Sequence, residues 1–210
     1  MSLLPMITIE ANDFDPPEKK VIVANYNALK IDNLSFEAFK IAWDGHSYFK
    51  SKGLTQSDTV VIIDFDLPSY VKRMFIIDLS TMQVIDSSLV AHGKNTGDIK
   101  ATNFSNKNGS LKSSLGFYLT KEQYQGKHGL SLRLDGLEKG VNSNARRRNI
   151  VIHKADYVSE EFMKQNHRIG RSFGCPAIPV QGYETRLSYM QEPTLIYIYS
   201  SKNKSIIPVF

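Results

Sequence analysis

The chain contains one cysteine, and it lies in the stretch Gly170-Arg171-Ser172-Phe173-Gly174-Cys175-Pro176-Ala177-Ile178-Pro179. A single cysteine forms no internal disulfide, and it cannot supply the several thiolates of a structural zinc or iron–sulfur site. A cysteine that only packs in a core is the alternative interpretation, but the neighbours here are turn formers rather than an apolar stripe. A turn exposes a thiol and points backbone N–H groups at one place, as a nucleophile with an oxyanion site requires. The stretch therefore favours a catalytic cysteine.

A histidine lies 22 positions before this cysteine, at the end of the apolar, strand-like run Asn149-Ile150-Val151-Ile152-His153. A free thiol has a pKa of about 8.5 and is mostly protonated at neutral pH, so a nucleophilic cysteine needs a base or a cation nearby. His153 is our candidate base, since a neutral imidazole can accept the Cys175 proton and return it to a leaving amine. A structural histidine at a strand end remains the alternative interpretation.

Length and composition are those of an ordinary globular protein. The 210 residues are 41% hydrophobic and 22% charged, which suits one large domain with or without a small appendage. No apolar run reaches the ~18 residues that a membrane-spanning helix needs. The start Met1-Ser2-Leu3-Leu4-Pro5-Met6 lacks the basic and long apolar regions of a signal peptide. We therefore expect either a cytoplasmic protein or one whose export signal is not part of this sequence.

The chain is basic, with a net charge of +5 and a pI near 9.1. Such a charge suits an anionic partner, but the basic residues are scattered except at Arg146-Arg147-Arg148, which we interpret as a solvated loop. No RNA-binding aromatic motif, zinc finger or helix-turn-helix pattern is present, so nucleic acid is not a predicted partner. The five histidines lack metal-ligand spacing. No metal and no cofactor is predicted.

Short strands dominate the second part of the chain. From residue 58 onward, runs rich in β-branched and aromatic residues alternate with turn-forming residues. They predict a mainly β domain over 58–210 with a few helices, folded as a curved β-sandwich or open barrel. Residues 1–57 are predicted to be an N-terminal irregular and helical appendage. The predicted strands are 59–65, 73–79, 83–86, 115–119, 131–134, 149–153 and 194–200, and the predicted helices are 21–34, 35–52 with Ser35 as N-cap, 159–166 and 182–190.

The interval 92–114 is dense in Gly, Asn, Ser and Lys, and no regular element is predicted in it. A polar loop of this length inside a compact domain is usually functional or disordered. It begins with His92-Gly93-Lys94-Asn95 and contains Phe104-Ser105-Asn106. We therefore include this loop among the candidate functional segments.

These segments together carry a resemblance to a known family. A strand that ends in histidine, followed by a Ser-x-Gly-Cys turn, resembles the L,D-transpeptidase catalytic domain of the YkuD type, and in particular its divergent murein L,D-transpeptidase branch. The resemblance covers roughly residues 73–200, and its specificity comes from an ordered set of segments rather than from the cysteine turn alone. In chain order these are His92-Gly93-Lys94-Asn95, Phe104-Ser105-Asn106, Ser113-Ser114-Leu115-Gly116, Gly126-Lys127-His128-Gly129 and Gly170 to Pro176.

The resemblance implies an enzyme that acts on peptidoglycan stem peptides. In this family a cysteine thiolate attacks the carbonyl before a terminal D-alanine, releases D-alanine and passes the acyl group to an amine. It implies a YkuD-like fold, no cofactor, and a location in the bacterial periplasm or cell wall after export, and it leaves the oligomeric state open. The predicted catalytic residues are Cys175, His153, Ser172 and Gly174, and the predicted substrate-binding residues are Arg171, His92, His128 and Phe173.

Several alternatives stay open for individual residues. The oxyanion donors are expected to be the N–H groups of Gly174 and Cys175 or their neighbours. Ser172 is expected either to position the turn or to orient His153. Arg171 is expected either to bind a substrate carboxylate or to form an ion pair. For His92 and His128, a solvent-exposed loop position is the alternative to substrate binding.

Two departures from the central family concern how substrate is held. Lys154 and Phe173 stand where that family usually has a glycine and a histidine, and an arginine common after the cysteine is missing. Water in place of the amine acceptor would make the chain an L,D-carboxypeptidase. A non-catalytic peptidoglycan-binding module is a second alternative. A papain-like protease is disfavoured because in that family the cysteine precedes the histidine.

Overall fold

The computed structural model describes residues 17–127, 129–191 and 193–202. Within these ranges no helix is both long and apolar enough to cross a membrane. Over the described residues the fold is mainly β, as predicted, with four helices. Its elements are α1 (Pro17–Ala28), α2 (Phe36–Ser51), β1 (Thr59–Asp64), β2 (Met74–Asp78), β3 (Gln83–Ser88), β4 (Gly116–Gly126), β5 (Gly129–Gly136), β6 (Val151–Lys154), α3 (Glu160–Asn166), β7 (Ala177–Ile178), α4 (Tyr183–Ser188) and β8 (Leu195–Tyr199).

All eight strands belong to one mixed sheet in the order β3-β2-β1-β8-β4-β5-β6-β7. The β1–β8 and β6–β7 pairs are parallel, and the other pairs are antiparallel. The two ends of this order meet, because the Ala91 N–H, just after β3, donates to the carbonyl of Ala177 in β7 at 2.8 Å. The sheet is therefore curved into a nearly closed barrel.

Both faces of the central strands are buried. In β1, Val61 and Ile63 pack inside the barrel, while Val60 and Ile62 pack on its outer face. Since successive side chains of a strand point to opposite faces, a strand buried on both sides reads as a continuous apolar run. That is why the Val60-Val61-Ile62-Ile63 run shows no polar alternation.

The N-terminal helices cover the outer face of the sheet. The hydroxyl of Ser35 accepts the Ala38 N–H at 3.0 Å and caps α2, as predicted. Phe49 of α2 lies 5.4 Å, centroid to centroid, from the ring of Phe117 in β4. The division of the chain at residue 57/58 remains a prediction, although α2 and the sheet share one hydrophobic cluster. The predicted irregular start of the chain falls mostly on residues 1–16, outside the described ranges.

Candidate active site

The turn that carries Cys175 is held by the hydroxyl of Ser172. Ser172 Oγ donates to the Cys175 carbonyl at 2.6 Å and accepts the Gly174 N–H at 3.0 Å. Gly174 has φ = +127°, a conformation that favours glycine. Sequence reasoning expected the Gly174 N–H to point at an oxyanion, but here it is engaged by Ser172. Both hydrogen bonds of the Ser172 hydroxyl are made within the turn. Of the two roles expected for Ser172, they correspond to positioning the turn rather than to orienting His153.

The polar loop 92–114 lies against this turn and supports it. The Ser172 N–H donates to the His92 carbonyl at 2.9 Å, and the Lys94 N–H donates to the Ser172 carbonyl at 2.8 Å. The Ser113 hydroxyl donates to the Gly174 carbonyl at 3.1 Å and accepts the Gly93 N–H at 3.0 Å. The loop is thus hydrogen-bonded to the cysteine turn at several points.

The Cys175 thiol lies beside the beginning of β6. Its Sγ is 3.6 Å from the carbonyl oxygen of Asn149, to which the thiol donates. The side chain is half-buried and packs against the cluster inside the barrel. Burial raises the pKa of the Cys175 thiol, while the N–H of Val151 and the charge of Arg148 act in the opposite direction. Burial is the largest influence, so the thiol is protonated at neutral pH in this structure.

His153 lies on the strand next to the cysteine turn. In the parallel β6–β7 pair it is opposite Ala177, two residues after Cys175. Its side chain is buried, and Nδ1 is 3.0 Å from the Lys154 carbonyl oxygen. A carbonyl only accepts, so this hydrogen bond requires the proton on Nδ1 and leaves the lone pair on Nε2.

Two of the expected substrate-binding residues lie close to the turn. Arg171 forms an ion pair with Asp98, with Nη1 and Oδ1 3.1 Å apart, and Nη1 also donates to the Gly97 carbonyl at 3.1 Å. This ion pair is the alternative that the sequence left open for Arg171. Phe173 is 70% exposed, which makes its ring accessible two residues before the thiol. His128 lies outside the described residues.

The burial of His92 contradicts the solvent-exposed loop position that was one of its two expected environments. The residue was expected either to contact substrate or to lie in a solvent-exposed loop, but it is fully buried. Its Nδ1 accepts from Arg73 Nη2 at 2.8 Å, and its Nε2 donates to the Gly97 carbonyl at 3.2 Å. Burial and the Arg73 charge lower the pKa of His92 to about 4. His92 is therefore neutral at neutral pH, and its ring joins the polar loop to Arg73.

Sequence reasoning missed Arg148, which it grouped with a solvated basic loop. Arg146 and Arg147 fit that interpretation, since both are exposed and Arg146 forms surface ion pairs with Glu122 and Asp135. The Arg148 guanidinium is half-buried and donates to the carbonyls of the polar loop, at 2.8 Å to Ser105. It lies against the cysteine turn, since a Cβ built on Gly174 would come within 3.2 Å of Arg148 Nη2.

Tyr157 is a second residue near the site that the sequence did not indicate. A Cβ built on Gly170 would lie 2.5 Å from a Tyr157 side-chain atom, so this glycine permits the ring to pack at the start of the cysteine stretch. Burial, with a smaller influence of Cys175, raises the pKa of Tyr157 to about 12. Its hydroxyl is therefore neutral at neutral pH. No pattern in the sequence distinguishes this tyrosine from the other nine.

The described part of the chain contains no group of three or more His, Cys, Asp and Glu residues placed to hold a metal ion. The groups near Cys175 are an imidazole, hydroxyls, a guanidinium and backbone amides. Such groups are suited to nucleophilic acyl transfer, in which a thiol, a base and N–H donors act together.

A family model described as the L,D-transpeptidase catalytic domain matches residues 30–199. No curated protein matched the sequence. Among solved structures, the L,D-transpeptidase from Mycobacterium smegmatis is similar at 9% identity and a TM-score of 0.42, over 69% of this chain and 59% of that one. The Enterococcus faecium L,D-transpeptidase is similar at 12% identity and a TM-score of 0.40, over 68% of this chain and 50% of that one.

The L,D-transpeptidase from Stackebrandtia nassauensis is similar at 9% identity and a TM-score of 0.40. That likeness covers 87% of this chain and 78% of the other. The chain spans 59% of the Mycobacterium smegmatis structure and 50% of the Enterococcus faecium one, so both include parts that have no counterpart here.

Proposed function

The chain belongs to the L,D-transpeptidase catalytic domain family, and we propose that it transfers acyl groups of peptidoglycan stem peptides through a Cys175 thioester. The observation that carries the proposal is the position of Cys175. It lies on a turn fixed by Ser172, two residues before the partner of His153 in the β6–β7 pair. This places the candidate nucleophile and the candidate base on neighbouring segments.

In the proposed reaction, His153 Nε2 takes the thiol proton as Sγ attacks the carbonyl carbon of the bond before the terminal D-alanine. A C–S bond forms, and the carbonyl oxygen becomes an oxyanion that accepts the Cys175 N–H. The C–N bond then breaks, and the amine of D-alanine leaves with the proton from His153. A thioester remains on Cys175.

The second half of the reaction repeats these steps with a different nucleophile. An acceptor amine attacks the thioester carbon, and His153 takes its proton. The C–S bond breaks, and the proton returns to Sγ, so that the free thiol is restored. If water attacks instead, the product is a shortened stem peptide and the reaction is that of an L,D-carboxypeptidase.

Two further residues are assigned roles in this proposal. Ser172 is a positioning residue, because its hydroxyl spans the turn from Gly174 to Cys175. Arg148 is the cation that favours the thiolate once the proton has left, against the opposing influence of burial. Peptidoglycan as substrate implies action in the periplasm or cell wall.

Mass spectrometry of the intact protein tests the proposal. Incubation with a carbapenem or with a tetrapeptide muropeptide is expected to add one acyl mass to Cys175. The Cys175→Ala variant is expected to show no adduct and no release of D-alanine. A wild-type chain without an adduct, under conditions in which another family member is acylated, would contradict the proposal. So would a Cys175→Ala variant with full turnover.

A non-catalytic peptidoglycan-binding module is the second candidate function. The observation in its favour is that the thiol donates to Asn149 and has a raised pKa. This candidate predicts muropeptide binding that is unchanged after alkylation of Cys175, together with the absence of a carbapenem adduct. The acyl-transfer proposal predicts an adduct that alkylation prevents.

A further inference from the structure

An exposed aromatic ring and an exposed ammonium group are paired beside the cysteine turn. Phe173 has the largest exposed fraction, 70%, among the large hydrophobic side chains found exposed in the described residues. Lys94 Nζ lies over its ring, 4.9 Å from the centroid. A large apolar side chain left this exposed often marks a contact surface, and a cation over its face is held there by electrostatic attraction.

The backbone fixes both side chains relative to Cys175. The Lys94 N–H donates to the Ser172 carbonyl at 2.8 Å, and Gly93 forms a bridge with Ser172. The Ser172 hydroxyl in turn donates to the Cys175 carbonyl. Phe173 is part of the same turn, two residues before Cys175, so the ring and the ammonium group are held beside the segment that carries the thiol.

Lys94 differs from the arginines around the turn in its partners. Arg168 and Arg171 share the carboxylate of Asp98, at 2.9 and 3.1 Å. Arg148 donates to backbone carbonyls beneath the turn. Within residues 17–127, 129–191 and 193–202, Lys94 forms no ion pair. Its charge is therefore available to an anionic ligand.

We propose that Lys94 binds a carboxylate of the donor stem peptide while the Phe173 ring contacts the adjoining aliphatic part of that peptide. The proposal rests on the proposed function, since it assumes that the donor is a peptide with free carboxylates. A carboxylate on the leaving D-alanine and one on the acyl side of the scissile bond share this chemistry, and substrates amidated at one or the other distinguish them.

The test compares Lys94→Met and Lys94→Arg with the wild-type chain, using D-alanine release from a tetrapeptide. A charge-assisted hydrogen bond typically contributes enough affinity that we expect KM to rise about tenfold or more in Lys94→Met, with kcat nearly unchanged. Lys94→Arg is expected to stay within about threefold of wild type, because a guanidinium also binds carboxylates. Phe173→Ala is expected to raise KM as well, while Phe173→Tyr is expected to retain wild-type KM.

Two further substrates identify the carboxylate. If amidation of the terminal D-alanine removes the difference between wild type and Lys94→Met, the leaving-group carboxylate is the ligand. If amidation of the acyl-side carboxylate removes it, that group is the ligand. The assignment of Lys94 would be overturned if KM rose equally in Lys94→Met on all substrates, amidated or not. It would also be overturned if KM did not rise in Lys94→Met.

Lys52→Met is the matched control, because Lys52 Nζ lies 5.5 Å from the Tyr48 ring in a similar exposed pair away from the turn. Its KM is expected to equal that of wild type. A wild-type chain that is neither acylated nor active would overturn the proposed function, and the Lys94 assignment with it. An active wild-type chain with an unaffected Lys94→Met variant would overturn only the assignment of Lys94.

Discussion

The two histidines near the cysteine turn differ in which ring nitrogen carries the proton. His153 has its proton on Nδ1, which donates to the Lys154 carbonyl, so its lone pair is on Nε2. His92 has its proton on Nε2, because Nδ1 accepts from a guanidinium that has no lone pair to offer. The hydrogen-bond partners of the two rings thus give the two histidines opposite tautomers.

A pH-dependent stability follows from the burial of His92. Its pKa is lowered to about 4 in the folded chain, against about 6.5 when unfolded. The unfolded chain therefore binds the extra proton first, and the stabilising contribution of the neutral ring is complete above pH 6.5 and is lost as the pH falls toward 4. Urea denaturation is expected to show that this group lowers the free energy of unfolding by on the order of 3 kcal/mol as the pH falls from 6.5 to below 4.

His92→Gln provides the comparison for this prediction. A glutamine can accept from Arg73 and donate to the Gly97 carbonyl, but it does not titrate. The variant is expected to lose stability less steeply between pH 6.5 and 4 than wild type. Buried carboxyls such as Asp64 titrate in both proteins. Their contributions therefore cancel in the difference between the unfolding free energies of wild type and His92→Gln. Parallel pH profiles for the two proteins would contradict the assignment of His92 as a buried neutral ring.

At the scale of an element, the polar loop 92–114 supports the cysteine turn. A Cβ added to Gly93 would lie 2.6 Å from the Leu111 carbonyl oxygen and 3.0 Å from the Gly174 Cα. Both are backbone atoms, so the loop or the turn has to move. We expect Gly93→Ala to cost about 1–3 kcal/mol of unfolding free energy and to slow acylation of Cys175 by a carbapenem.

Gly109→Ala is the control for Gly93→Ala within the same loop. A Cβ on Gly109 would meet no atom within 4 Å, although its φ of +70° makes alanine strained. We expect a cost of about 1 kcal/mol from this strain and an unchanged acylation rate. Equal acylation rates in wild type and Gly93→Ala would show that the position of the turn does not depend on this contact.

The elements show which features a sequence can reveal. Ser35 was identifiable as a helix N-cap because capping depends on residues three positions apart. The burial of His92 and the position of Arg148 were not, since both depend on contacts between distant parts of the chain. In the sequence, a polar loop and a basic triplet suggest solvent exposure, because the buried cation or the turn that packs against them lies far away in the chain.

At the scale of the whole molecule, the site lies where the sheet closes. Ala91 and Ala177, which join the two ends of the sheet, each adjoin a segment of the site. His92 follows Ala91 directly, and Cys175 lies two residues before Ala177. The β1–β8 and β4–β8 pairs link the remaining strands across the middle of the sheet. Strand pairing throughout the barrel therefore holds the cysteine turn against the polar loop.

The shared cluster of α2 and the sheet predicts that both unfold together. Phe49 is buried against Phe117, so Phe49→Ala is expected to cost about 3 kcal/mol. Trp43, the one tryptophan, lies on α2, so its fluorescence reports on the helix while far-UV circular dichroism also reports on the sheet. The midpoints of both urea transitions are expected to move to lower urea together in Phe49→Ala.

The control is Val21→Ala at an exposed site, whose unfolding free energy is expected to stay within ~0.5 kcal/mol of wild type. Two separate transitions, of which only the fluorescence transition moves, would instead support an N-terminal unit that unfolds independently of the sheet.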